Sequence, residues 1–195
     1  MSIFSLYFNL GIHHILDIGA YDHILFITTL LAVYQLKQWR KIIVLITAFT
    51  IGHATTLVLF TLDIFSIAPQ LVEFMIAITI AITAISNMLM SVQEGLNKCL
   101  YYSKYLISAF FGMIHGMGFS SYLKAMFDSS QNMLTSLFAF NLGIETGQLV
   151  VVSAILFLSW FVLNYLKVKQ IVWNYIISGL GLIVALILFV QRWPF

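Results

Sequence analysis

Charged residues are scarce in this sequence: Asp, Glu, Lys and Arg make up only 8% of its 195 residues, against roughly 25% in soluble globular domains. Apolar residues make up 62%. The 9 basic and 7 acidic residues give a net charge of +2, which is too small to form a phosphate-binding face, so we expect no nucleic-acid partner. The composition excludes a water-soluble fold and indicates an integral membrane protein in contact with the lipid bilayer.

Cysteine and proline are also rare. Cys99 is the only cysteine, so the chain cannot form an internal disulfide. Pro69 and Pro194 are the only prolines, which leaves long stretches that can be helical. We expect no nucleotide site, because the glycines between residues 112 and 118 lie in an apolar stretch without the Lys-Ser or Lys-Thr pair of a phosphate loop.

Long apolar runs make up most of the chain. Each is near or above the ~20 residues with which a helix crosses the hydrocarbon layer, and none alternates as barrel strands do. The expected spans are 18–36, 42–62, 71–92, 105–123, 138–165 and 171–191. We therefore predict an all-α membrane protein with a single transmembrane domain over residues 1–195, formed by a bundle of six transmembrane helices. Before them, the short polar stretch with Asn9, His13 and His14 predicts an interfacial or re-entrant helix.

Basic residues predict the orientation of the bundle. Loops on the cytoplasmic side carry an excess of Lys and Arg. Three loops, after the first, third and fifth spans, hold seven of the nine basic residues: Lys37, Arg40, Lys41, Lys98, Lys104, Lys167 and Lys169. These loops are expected to be cytoplasmic, which places both termini outside.

All five histidines lie in or beside the apolar runs. Ionisable side chains inside a bilayer cost about 2.5 to 3.5 kcal/mol each on insertion scales, and they usually mark a site or a pathway. Counted from the flanking basic residues, His23, His53 and His115 lie about 16 to 21 Å into the membrane, at 1.5 Å per helical residue. Glu145 falls near the same level. Four helices are thus expected to bring imidazoles and a carboxylate together.

Other polar residues follow helical spacing around these positions. Asn141 and Gln148 lie four residues before and three residues after Glu145, so the three side chains share one face of the fifth span. Thr50 and Thr56 lie three residues before and after His53. Such groups can orient a ligand by hydrogen bonding. The side chains expected to support the site in this way are Thr50, Thr56, Asn141 and Gln148.

A metal ion is the natural occupant of such a site. Imidazole nitrogen together with carboxylate oxygen suits Zn, Ni, Co and Fe. Asp22 and Glu145 can offset the charge of a divalent ion that the bilayer disfavours. The eight methionines are scattered along the chain, which disfavours a copper(I) site. A proton relay without a metal is the main alternative interpretation of the same residues.

Four groups of residues occur in order along the chain. They are Gly11-Ile12-His13-His14-Ile15-Leu16 followed by Tyr21-Asp22-His23-Ile24-Leu25-Phe26; Phe49-Thr50-Ile51-Gly52-His53; Phe111-Gly112-Met113-Ile114-His115-Gly116-Met117-Gly118-Phe119; and Phe140-Asn141-Leu142-Gly143-Ile144-Glu145-Thr146-Gly147-Gln148-Leu149. Together they resemble the HupE/UreJ family of bacterial membrane proteins. The resemblance covers about residues 9 to 150.

This resemblance implies a multi-pass protein of the bacterial inner (cytoplasmic) membrane that handles nickel or cobalt around hydrogenase or urease. It also implies a set of metal ligands: His14, Asp22, His23, His53, His115 and Glu145. Related nickel/cobalt permeases have a His-x4-Asp-His signature, whereas seven residues separate His14 from Asp22 here. We expect this inserted turn to change the reach of the site.

Two classes of function remain open. In the first, the chain is a permease that carries a divalent ion (Ni, Co or Zn) through the site, with proton exchange at Glu145 or a histidine. In the second, the residues hold zinc with one open position and the chain is an intramembrane hydrolase of a lipid or peptide, with Glu145 as the catalytic group. A third, non-catalytic possibility is an accessory protein that hands its ion to a metalloenzyme-maturation or other membrane partner.

Overall fold

The computed structural model describes residues 2–64, 67–90, 98–126 and 133–194, and every regular element among them is helical. The helices of ten or more residues are α1 (Ile3–Leu16), α2 (Asp22–Leu31), α3 (Trp39–Thr61), α4 (Pro69–Met90), α5 (Lys98–Met126), α6 (Met133–Trp160) and α7 (Gln170–Gln191). The prediction of an all-α fold is confirmed for these residues. The expected loop residues 93–97 and 127–131, and the end of the third span at 91–92, lie outside the described residues.

Four stretches of the described chain are long and apolar enough to cross a membrane. They are Leu36–Thr61, Pro69–Leu89, Met133–Tyr165 and Gln170–Gln191. Each coincides with an expected span, which supports the prediction of a membrane protein. The expected span 105–123 lies within α5, which has 29 residues but is less apolar than the other four. The count of six spans, the single domain and the outside termini stay predictions.

The first expected span, residues 18–36, is not one continuous helix. A 3-10 turn at Ile18–Ala20 precedes α2, which ends at Leu31. Asp17 has an extended backbone, and its carboxylate accepts a hydrogen bond from the backbone N–H of Gly19 at 2.8 Å. This side-chain cap competes with helical hydrogen bonding and starts a turn inside an apolar run. The predicted helix over 18–36 is therefore wrong in its bounds.

The two short helices α1 and α2 take the place of that span. They contain 14 and 10 residues, which together rise about 36 Å at 1.5 Å per residue. α1 packs along α6, and the hydroxyl of Tyr7 donates to the carbonyl of Met126 at the end of α5. α2 lies beside α4 and α7. Packing of α1 along a membrane-spanning candidate favours the re-entrant over the interfacial alternative for the N-terminal helix.

Glycines allow the closest helix contacts. A Cβ on Gly116 of α5 would overlap the backbone of His53 on α3, and a Cβ on Gly143 of α6 would overlap the carbonyl oxygen of Phe8 on α1. Small residues let helix backbones approach in this way in membrane proteins. The glycines thus fix α3 against α5 and α1 against α6, and three of these helices, α1, α3 and α5, carry histidines.

The orientation can be tested by labelling in intact cells. In a Cys99→Ser background, Ile64→Cys should react with a membrane-impermeant maleimide, because the loop after α3 lacks basic residues. Leu166→Cys should react only after permeabilisation, because its loop carries Lys167 and Lys169. Both positions are exposed. The opposite labelling pattern would reverse the predicted orientation.

Candidate metal site

Three imidazoles from three helices converge in the bundle. His14 lies near the end of α1, His23 near the start of α2 and His53 in the middle of α3, and each offers one ring nitrogen within 4.8 Å of the others. The ring centroids of His14 and His23 are 4.8 Å apart, and that of His53 lies 6.1 and 5.8 Å from them. His23 and His53 are buried, whereas His14 is half-buried. The break between α1 and α2 is what brings His14 beside His23.

The ring nitrogens of this cluster are buried without hydrogen-bond partners. Among the described residues, Nε2 of His14, Nε2 of His23 and both nitrogens of His53 contact no donor or acceptor. A buried polar group without a partner costs about 1 to 3 kcal/mol, so several in one place require an explanation such as a bound ion. Neutral imidazole nitrogens are good ligands for Zn, Ni and Co. The donor set fits a divalent transition-metal ion.

Asp22 orients the imidazole of His23. Its Oδ1 accepts a hydrogen bond from the backbone N–H of His23 at 2.9 Å and lies 3.2 Å from Nδ1 of the same residue. A proton on Nδ1 then points at the carboxylate, which leaves the Nε2 lone pair facing the cluster. Carboxylate partners of this kind fix the tautomer of metal-binding histidines. The other oxygen of Asp22 lies 3.4 Å from Nη1 of Arg192.

His115 lies next to the cluster and points its second nitrogen at α4. Its ring centroid is 5.2 Å from that of His23, and its Nε2 is 3.1 Å from the hydroxyl of Thr79. Because this hydroxyl donates to the carbonyl of Ile76 at 2.7 Å, it accepts from an Nε2–H of His115. Nδ1 of His115 is then a lone pair, buried and without a partner among the described residues.

Glu145 does not lie in the histidine cluster. Its carboxylate accepts a hydrogen bond from the hydroxyl of Thr47 on α3 at 3.0 Å. Thr47 precedes His53 by six residues, which corresponds to about 9 Å along the helix. The structure therefore places Glu145 about two turns from the imidazoles, on the side toward the start of α3.

The four expected supporting residues make their hydrogen bonds to groups other than the imidazoles. The hydroxyl of Thr50 donates to the side chain of Gln148 at 2.7 Å, and that of Thr56 donates to the backbone carbonyl of His53 at 3.1 Å. The side-chain amide of Asn141 donates to the carbonyl of Leu137. Thr50 and Gln148 thus join α3 to α6. The side chains that do lie within hydrogen-bonding distance of histidine rings are Asp22 and Thr79.

Sequence reasoning missed Thr79 and Arg192. A lone threonine in an apolar helix carries no distinguishing signal, since its hydroxyl usually bonds to its own helix. Arg192 follows an apolar run near the end of the sequence, where a basic residue bears only on orientation. In the structure it joins Asp22 to Glu73, with Nε 3.6 Å from the Glu73 carboxylate. The link ties the end of α7 to the start of α2.

A cavity and a group of aromatic rings both border the cluster. The cavity, of about 440 Å³, reaches His14 and is also lined by His13, Asp17, Phe119 and Tyr122. Three phenylalanine rings of α2, α3 and α5 lie together. The centroid of Phe26 is 5.0 Å from those of Phe49 and His115 and 6.1 Å from that of Phe111. The site is thus reached by one cavity at His14 and packed against aromatic rings at His115.

Comparison with known proteins gives one finding. The family model described as HupE / UreJ protein matches residues 1–192, which is essentially the whole chain. No curated protein and no solved structure shows significant similarity to the sequence.

Proposed function

The chain belongs to the HupE/UreJ family, and we propose that it is a membrane permease for a divalent transition-metal ion of the nickel/cobalt type. In this proposal, His14, His23 and His53 bind the ion in transit. The HupE/UreJ family relates to nickel and cobalt handling, and the cluster has the donor chemistry for such ions. His115 is a fourth donor next to them.

The observation that carries the proposal is the set of buried ring nitrogens without partners. If the histidines served only to hold the bundle together, most of their ring nitrogens would have a partner, as Nδ1 of His23 has in Asp22 and Nε2 of His115 has in Thr79. Interhelical hydrogen bonds in membranes average only ~0.6 kcal/mol, which is too little to offset several orphaned imidazole nitrogens. A transported cation would satisfy them while it is bound.

The surroundings of the site favour transport. The cavity at His14 admits an ion from one side, and His14 and His23 lie at the ends of two short helices that meet at a break. Broken helices near the middle of the membrane are a recurrent feature of ion sites in transporters. Glu145 lies further along the path toward the start of α3 and supplies a carboxylate for the next step, where it can exchange a proton for the ion.

A zinc-dependent intramembrane hydrolase is the second candidate. Three imidazoles with an open fourth position are a known arrangement for catalytic zinc, and the cavity at His14 could admit a substrate as well as an ion. However, such an enzyme needs a general base within reach of the metal-bound water. Glu145 bonds to Thr47 and Asp22 is engaged with His23 and Arg192. The permease is therefore the better supported of the two.

Metal binding should depend on the three clustered histidines. We expect purified protein to bind about one Co or Ni ion per chain. His23→Ala and His53→Ala should each lower the affinity by more than the roughly 10- to 100-fold that loss of an outer partner costs, because each removes a ligand. His13→Ala is the matched control, since His13 is exposed and adjacent to His14. Isothermal titration measures the affinity, and elemental analysis measures the number of ions bound per chain. A metal-free protein after careful loading would favour the proton relay instead.

Asp22 should tune the affinity without being required for it. Asp22→Asn keeps the size of the side chain but removes its charge, which weakens its hold on His23. We expect the Co affinity to fall by roughly 10- to 100-fold. Glu73→Gln, which alters the other carboxylate beside Arg192, should leave the affinity unchanged. An equal loss in both variants would assign the effect to the arginine rather than to His23.

Transport can be tested in liposomes loaded with a metal-sensitive dye. The wild type should take up Ni or Co, and Glu145→Gln should lose pH-dependent uptake yet still bind the ion, because an amide keeps the shape and one acceptor but not the titrating charge. Glu73→Gln is again the control. Bound metal with no influx of Ni, Co or Zn would contradict the permease and leave the hydrolase or metal delivery to a partner.

A further inference from the structure

A second cavity lies at the other end of the bundle and is unrelated to the histidines. Its volume is about 620 Å³, and it is enclosed by α2 and the connection after it together with α3, α4, α5 and α7. Leu45 and Phe111 lie at its apolar end. Gln38 and Gln170 line the end nearest the starts of α3 and α7. The cavity thus extends from the helix starts toward the middle of the bundle.

The charge of this cavity is positive. Lys37 and Lys104 both line it, and no carboxylate is found among the described residues of its wall. The ammonium of Lys104 lies 5.9 Å above the ring of Tyr34, which holds it beside the cavity. Like charges repel, so a divalent cation does not suit this space. An anionic group does, since the lysines can donate hydrogen bonds to it.

The side of the cavity opens toward the surroundings of the bundle. Ile82 of α4 and Ile107 of α5 line it, yet 49% and 48% of their surfaces are exposed. Ile82 shares one helix face with the exposed Ile85, and Ile107 precedes the exposed Phe110. These residues belong to the outer, lipid-facing surface of the two helices. A ligand can therefore enter between α4 and α5 directly from the bilayer.

One polar atom in the cavity wall lacks a partner. The amide nitrogen of Gln170 donates to the carbonyl of Ala32, but its Oε1 is buried and without a donor among the described residues. Hydroxyl and amide side chains of Thr83, Ser108 and Asn174 line the same space. The wall therefore carries polar side chains beside the cationic groups, and apolar surface at Leu45, Ile82, Ile107 and Phe111.

We propose that this cavity binds an anionic phospholipid, with the phosphate at Lys104 and Lys37 and an acyl chain against Ile82, Ile107 and Phe111. A molecule with one anionic polar end and one apolar end matches the distribution of charge in the cavity. Basic pockets between transmembrane helices bind anionic lipid headgroups in this way. The proposal is independent of metal transport.

The experiment compares lipid binding by native mass spectrometry. Purified protein is exchanged into phosphatidylcholine vesicles with or without phosphatidylglycerol, then released for analysis. The wild type should retain one phosphatidylglycerol per chain. Lys104→Met, which keeps the apolar stem of the side chain, should bind it about fivefold more weakly, as expected for one lysine near the membrane surface. Lys104→Arg should restore binding, and Lys167→Met, an exposed lysine in another loop, should bind as the wild type does.

Two outcomes would overturn the lipid assignment. Equal retention of phosphatidylglycerol by Lys104→Met and Lys167→Met would show that lipid associates without the cavity. Competition by inorganic phosphate, with lipid lost as phosphate is added at constant ionic strength, would assign the cavity to a soluble anion. A control with sodium chloride at the same ionic strength shows how much lipid is lost through screening of charge alone, without competition by phosphate.

Discussion

The interruption of the helix between α1 and α2 determines the position of the site. Inside a membrane, a helix end exposes backbone groups that water cannot satisfy, so such a break needs local partners. The carboxylate of Asp17 accepts from the N–H of Gly19, and that of Asp22 accepts from the N–H of His23. The same two aspartates therefore stabilise the turn and supply negative charge beside the imidazoles. Without the break, His14 and His23 would lie nine residues apart along one helix.

Packing of the other helices completes the arrangement around this break. The glycine contacts between α3 and α5 bring the backbones of these helices close together, so that His53 and His115 face the same region as the two helix ends. Arg192 at the end of α7 reaches Asp22. His14, His23, His53 and His115 are thus carried by four different helices, and relative movement of these helices would change the distances among the ring nitrogens. Such a site can release an ion by a small displacement, as a permease requires.

The sequence predicted much of this, with limits that have physical causes. Family resemblance and axial counting both pointed to His23, His53 and His115, because depth along a helix follows from residue number alone. Glu145 was assigned to the same depth but bonds to Thr47. The count to Glu145 runs along a long helix and through the π-helical turn at Phe161–Tyr165, so tilt and this turn both change its depth from the value for an ideal axis.

Hydropathy likewise predicts only part of the fold. Four of the expected spans coincide with helices long and apolar enough to cross a membrane, since apolar length is what a crossing helix requires. Hydropathy could not locate the break at Asp17, because one capping side chain hardly changes the average over a window of about 20 residues. Hydropathy also does not predict the hydrogen-bond partners of Thr50 and Thr56, because hydroxyls in apolar helices bond to whichever backbone or side-chain acceptor the packing offers.

Glu145 and the cavity lined by lysines lie on different faces of α3, and this separates the proposed cation path from the lipid site. Leu45 lines the cavity with the lysines, whereas Thr47 bonds to Glu145 on α6. Two residues along a helix correspond to a rotation of about 200°, so these side chains point to nearly opposite sides of α3. A cation that leaves the histidines toward Glu145 moves along the α6 side, away from Lys37 and Lys104. The positive cavity on the other side then disfavours escape of the ion between α4 and α5, and an anionic lipid bound there would neutralise the lysines without entering the path.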